Sequence, residues 1–224
     1  MKNNSLLKLG GACAILLGVL KIVGSVAYLV LPADLRAEVA GKIFLPAFAA
    51  HPDALMVIFW SEALVGILGL AFVPALVALV RDENEGWLTW ARNLAQTGYA
   101  VSSIGYLLSI ARLPTIAKAY VAGDASTQAA LAATWKASID LLGVWGYAAV
   151  GFLILVASLM ALRNAAMPRW LAVLGLIVAV PHFMIPFGAY FKIQAVLMTA
   201  VVVALALPVW YIAVGWLMRK SPAK

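Results

Sequence analysis

The sequence predicts an all-α fold, a polytopic transmembrane bundle of about six spanning helices. Three observations lead there. Of the 224 residues, 65% are hydrophobic and only 11% charged, and the mean hydropathy is +1.01; a soluble domain carries roughly 25% charged residues. A water-soluble chain of this length cannot bury so much apolar surface, so lipid has to cover it. Apolar runs of about 20 residues, the length that crosses a bilayer as helix, recur along the chain. Alternating polarity, the mark of a transmembrane barrel, does not appear.

Six segments qualify as spans, at about 9–31, 54–80, 87–112, 141–162, 169–188 and 191–218. The first follows Met1-Lys2. It is longer than the apolar core of a cleaved signal peptide, about 7–15 residues, so it reads as an uncleaved helix. Residues 32–53 suit a short amphipathic helix at the interface. Residues 113–140 place Gly123, Asp124, Ser126 and Thr127, a turn signal, between two Ala-rich helical pieces. The last two spans form a tight hairpin near Tyr190 to Lys192. The whole of 1–224 reads as a single transmembrane domain, with no second soluble domain.

Charge sets the expected orientation. With six spans both termini share a side, which holds nine basic residues (Lys2, Lys8, Arg81, Arg92, Arg163, Arg169, Arg219, Lys220 and Lys224). The opposite side holds six (Arg36, Lys42, Arg112, Lys118, Lys136 and Lys192), mostly in the long loops, where the positive-inside rule is weaker. Both termini are therefore expected in the cytoplasm and the long loops outside. Tryptophans at both ends of the spans (Trp87, Trp90, Trp170 and Trp216 inside; Trp60, Trp135 and Trp145 outside) read as headgroup anchors. The net charge of +7 comes from single basic residues scattered between apolar runs, a topogenic pattern rather than a nucleic-acid patch.

The stretch Met167-Pro168-Arg169-Trp170-Leu171-Ala172-Val173-Leu174-Gly175-Leu176-Ile177 resembles the Pro-Arg-Trp-Leu signature that opens the fifth helix in DUF4386, a bacterial family of six-helix membrane proteins. The Gly-containing first helix, from Leu9-Gly10-Gly11-Ala12 onward, is similar to that family's, and Glu62 stands where the family often has an acidic residue in helix two. An Arg that the family often carries deep in helix three is missing between Arg92 and Arg112. The resemblance implies a six-helix fold in a bacterial inner membrane. It supplies no activity and no catalytic residues.

Ionisable side chains within spans are costly, about 2.5–3.5 kcal/mol for Lys on insertion scales, and so carry information. Lys21 lies about ten residues from the outer end of the first span and Glu62 about eight from the outer end of the second, within about 3 Å in depth. An ion pair between them is expected, since pairing offsets the burial of each charge. His182 and Gln194 fall in the same outer half, whereas the inner half looks almost wholly apolar. Tyr99, Ser102, Ser103, Tyr106 and Ser109 recur at spacings of three and four, which puts most of their hydroxyls on one helix face. That stripe is either interhelical glue or a ligand-lining wall. Pro181 and Pro186 flank His182 and are expected to break the fifth span beside it, or to kink it around a hydrogen-bonded histidine.

The candidate ligand-binding set is therefore Lys21, Glu62, Tyr99, Ser102, Tyr106, His182 and Gln194. No catalytic set, metal site or cofactor motif stands out. With only His51 and His182, a two-helix haem site is not expected, though one axial ligand remains open. Cys13, alone, reads as a core-facing thiol. Three functions stay open: binding or transport of a small molecule, a non-catalytic subunit of a larger membrane assembly, and a membrane enzyme acting on a lipid or quinone. The expected partners are the bilayer, a small-molecule or lipid ligand, and a membrane protein or second copy. Nucleic acid is not among them.

Overall fold

The computed structural model describes residues 2–36, 40–81, 86–134, 140–191, 193, 199 and 205–221. Helix α1 (Lys2–Leu29) leads through a 3-10 turn (Ala33–Leu35) to the short α2 (Gly41–Ala50). Helices α3 (Pro52–Val80), α4 (Gly86–Ala122), α5 (Ala125–Thr134), α6 (Asp140–Asn164), α7 (Arg169–Tyr190) and α8 (Ala206–Lys220) follow. Among the described residues there is no strand, and five helices (α1, α3, α4, α6 and α7) are long and apolar enough to cross a membrane.

Six helices close a ring, each touching the next in the order α1, α3, α4, α6, α7, α8 and back to α1. Small residues let them approach. A methyl group added at Gly11 would lie 2.7 Å from the Gly215 carbonyl oxygen, and one at Gly18 would lie 2.7 Å from that of Pro208. Helices α1 and α8 therefore meet almost backbone to backbone. Cys13 is buried in this core. Trp60, Trp87, Trp90, Trp145, Trp170 and Trp216 are all exposed on the outside, where lipid and headgroups lie.

A second apolar cluster caps one end of the ring. Leu35, Phe44, Leu45 and Phe48 from the first long connection pack against Leu113, Ala117 and Tyr120 of α4. This corrects the boundary expected near Arg112. Helix α4 has 37 residues and continues through Pro114. The donor that Pro114 withholds from the Ile110 carbonyl is offset by burial of Leu113, Ala117 and Tyr120. The chain then turns at Gly123 into α5, as the turn signal implies. Asp124 accepts the Thr127 N–H at 2.8 Å and the Ser126 hydroxyl at 2.9 Å. These bonds cap α5.

Of the two alternatives for the fifth span the break is excluded and the histidine is hydrogen-bonded, and the last expected span is described only in part. Helix α7 is continuous from Arg169 to Tyr190 despite Pro181 and Pro186. His182 Nδ1–H donates to the Val178 carbonyl at 2.8 Å, one turn back, and Gly151 lets α6 press against the backbone at His182 and Phe183. The last expected span, 191–218, is described as a helix only over the 15 residues of α8, and Lys192, in the expected hairpin, lies outside the described residues.

Candidate functional site

The site is built from the few polar side chains that the bundle buries. Lys21 of α1 places Nζ 2.8 Å from Glu62 Oε1 and 2.6 Å from Oε2, on α3, so one ammonium bridges both carboxylate oxygens. Both side chains are nearly covered, at 12% and 14% exposure. In so apolar a place each charge needs the other, because removing one partner leaves the other desolvated and unpaired. The ammonium also lies 5.2 Å from the centre of the Tyr147 ring. That is within cation–π range.

Four tyrosines complete the surroundings. The Tyr99 and Tyr211 hydroxyls are 2.7 Å apart and hydrogen-bonded, which ties α4 to α8. Tyr106 of α4 and Tyr147 of α6 line the same space. The His182 ring lies 6.0 Å from that of Tyr147. Because Nδ1 carries the proton given to Val178, Nε2 is the acceptor nitrogen of the neutral imidazole.

These groups surround a cavity of about 30 Å³, lined by side chains from all six helices of the ring. A space of that size admits a water molecule or two. Its formal charge is balanced, one ammonium against one carboxylate. Two glycines set its walls. A methyl group at Gly66 would lie 2.7 Å from the Tyr99 carbonyl oxygen, and one at Gly146 would collide with the Ser102 hydroxyl. Larger residues there would push α3 and α6 away from the hydroxyl face of α4.

The cavity lies below the capped end of the ring. Lys21 is eight residues from Leu29, Glu62 ten from Pro52, Tyr147 seven from Asp140 and His182 eight from Tyr190. Helix rise converts these separations to about 10–15 Å along each helix. The structure thus gathers Lys21, Glu62, Tyr99, Ser102, Tyr106 and His182. Gln194 lies outside the described residues. The hydroxyl stripe of α4 divides by role. Tyr99, Ser102 and Tyr106 line the cavity, Ser103 donates to the Ala63 carbonyl of α3 at 2.9 Å, and Ser109 donates to its own helix at Gly105, also at 2.9 Å.

Sequence reasoning missed Tyr147 and Tyr211. The depth comparison that linked Lys21 to Glu62 would have found Tyr147 had it been applied to tyrosines. Tyr211 had no such signal, because it stands alone among apolar residues and Trp210 in the last expected span. A second buried polar spot was also missed, toward the opposite end of the bundle. Ser158 Oγ on α6 and Trp210 Nε1 on α8 are fully buried, without a hydrogen-bond partner among the described residues, and both crowd Gly175 of α7. That half of the core is therefore not wholly apolar. Among the described residues, no three His, Cys, Asp or Glu side chains stand close enough to hold a metal ion.

No curated protein and no solved structure matches the chain. A family model described as a domain of unknown function, DUF4386, matches residues 11–220, which include every residue of the cavity. With five span-length helices and a family match over nearly its whole length, this membrane protein belongs to the DUF4386 family.

Proposed function

We propose that the chain is a bacterial inner-membrane protein with six spans and both termini in the cytoplasm, and that its central cavity binds a small polar molecule reached from the outer side. The bias of nine basic residues against six supports the orientation. The observation that carries the binding role is the convergence of an ion pair, four phenols and an imidazole from six helices on one small space.

Stability does not account for that convergence. Placing Lys21 in a span costs about 2.5–3.5 kcal/mol on insertion scales. An interhelical hydrogen bond in a membrane returns about 0.6 kcal/mol on average. Hydrocarbon side chains packed on the same glycines would hold the helices together at lower cost. A polar centre kept against that cost suits recognition of a polar solute.

The reading is tested by thermal unfolding of the full chain in lipid nanodiscs against a panel of small polar metabolites. At least one should raise the melting temperature of the wild type and leave Glu62→Gln unmoved. A panel that shifts neither protein, or shifts both equally, refutes the reading.

A further inference from the structure

Resting on that reading, we infer that the solute is a small zwitterion, a molecule with one cationic and one anionic group a few bonds apart, as in an amino acid or a betaine.

Charge balance carries the inference first. Among the described residues, the two charged groups that line the cavity touch each other. An entrant with one charge draws one of them away and strands its partner in a low-dielectric site. An entrant with both charges replaces one ion pair by two. An uncharged entrant finds the Tyr99 and Tyr211 phenols already bonded to each other. The ion pair itself keeps unused capacity: the ammonium has a third donor and the carboxylate has free lone pairs.

Space and aromatic faces give a direction. Gly24 of α1 is buried, yet a methyl group built on it would meet nothing closer than Glu62 Oε1 and Ser61 Cβ, each at 3.8 Å. Room for a methyl group in ordinary contact with the carboxylate is therefore left here, whereas methyl groups at Gly66 and Gly146 would collide with α4. Tyr147 already holds a cation against its ring. The cationic group of the solute settles beside Glu62, on the Gly24 side of the carboxylate, and its carboxylate takes Lys21 Nζ. With room of about 30 Å³, the walls must part to admit more than a water molecule or two, which keeps the solute small.

The same chemistry is present in a free solute and in a zwitterionic lipid headgroup, so both are tested. The full chain is reconstituted in nanodiscs of phosphatidylglycerol, which has no zwitterionic headgroup, and titrated by calorimetry with glycine betaine, choline and acetate. A second preparation adds phosphatidylethanolamine. Glycine betaine should bind at least tenfold more tightly than choline or acetate. If betaine is silent while phosphatidylethanolamine raises the melting temperature of the wild type, the zwitterion is a headgroup. Gly24→Val, which puts a branched side chain beside Glu62 and leaves both residues of the ion pair in place, should weaken either response at least tenfold. The charge-neutral double variant Lys21→Met/Glu62→Gln should abolish it while remaining helical. Choline or acetate binding as tightly as betaine overturns the inference, as does an unchanged response in Gly24→Val. A different, non-zwitterionic solute that binds and requires Glu62 refutes the class but leaves the cavity reading intact. Absence of any bound solute refutes both.

Discussion

Lys21 Nζ stands 2.6 Å from Glu62 Oε2 across 41 residues of chain, and this contact ties the first long helix to the second inside the apolar core. Removing one member leaves a buried charge without its partner, which costs about 3–5 kcal/mol. Lys21→Met and Glu62→Gln are each expected to lower stability by that order. The double variant, with both charges gone, should be more stable than either single one. Reversible unfolding of the four proteins in mixed micelles gives the coupling directly. Additive losses would show that the two residues do not act as a pair.

How this pair became legible in the sequence, and why other features did not, follows from the solvent. In hydrocarbon each charge is expensive, so Lys21 and Glu62 stood out, and helix rise alone matched their depths. Length and hydropathy located the spans for the same reason. Tyr147 and Tyr211 were hidden because tyrosine is ordinary in a membrane helix, at the interface or in the core. The extension of α4 past Pro114 was hidden because it depends on tertiary burial against α2, which no local signal in the helix encodes. Continuity of α7 depends likewise on a contact between Gly151 and the backbone of the facing helix.

The two buried polar atoms near Gly175 yield an expectation opposite in sign. An unsatisfied buried donor or acceptor costs about 1–3 kcal/mol. Ser158→Ala removes such a group and opens space beside Gly175. It should leave stability unchanged or raise it by about 1 kcal/mol. Gly175→Ala places a methyl group against the Ser158 hydroxyl and 2.7 Å from Trp210 Nε1. Such overpacking should cost about 1–3 kcal/mol. Adding Ser158→Ala to Gly175→Ala should recover part of that loss. A marked drop in melting temperature for Ser158→Ala alone would mean that its hydroxyl has a partner after all.

Two glycines on either side of the ion pair should behave differently when each becomes alanine. At Gly66 the added methyl group sits 2.7 Å from the Tyr99 carbonyl oxygen, backbone that cannot swing aside. Gly66→Ala should therefore separate α3 from α4 and cost about 1–3 kcal/mol. At Gly24 the nearest atoms are 3.8 Å away. Gly24→Ala gains helix propensity without a clash and should stabilise by about 0.5–1 kcal/mol. Unfolding midpoints of the two variants, measured side by side, check the contrast. Equal effects would mean that Gly24 is packed as tightly as Gly66.

Acid should act first on the cap of α5. Hydrogen bonds from the Thr127 backbone N–H, then from the Thr127 and Ser126 side chains, hold the exposed Asp124 carboxyl below its ordinary value of 3.8. A carboxyl lowered in the folded state contributes stability above its unfolded value, and loses it as pH falls through the folded value. The start of α5 should be firm at pH 6 and begin to fray below about pH 4. Amide hydrogen exchange at Thr127, corrected for intrinsic rates, should accelerate over that interval. Asp124→Asn keeps a capping oxygen but cannot titrate, so its protection should stay flat from pH 6 to pH 3. The same acid acceleration in Asp124→Asn would assign the effect to another group.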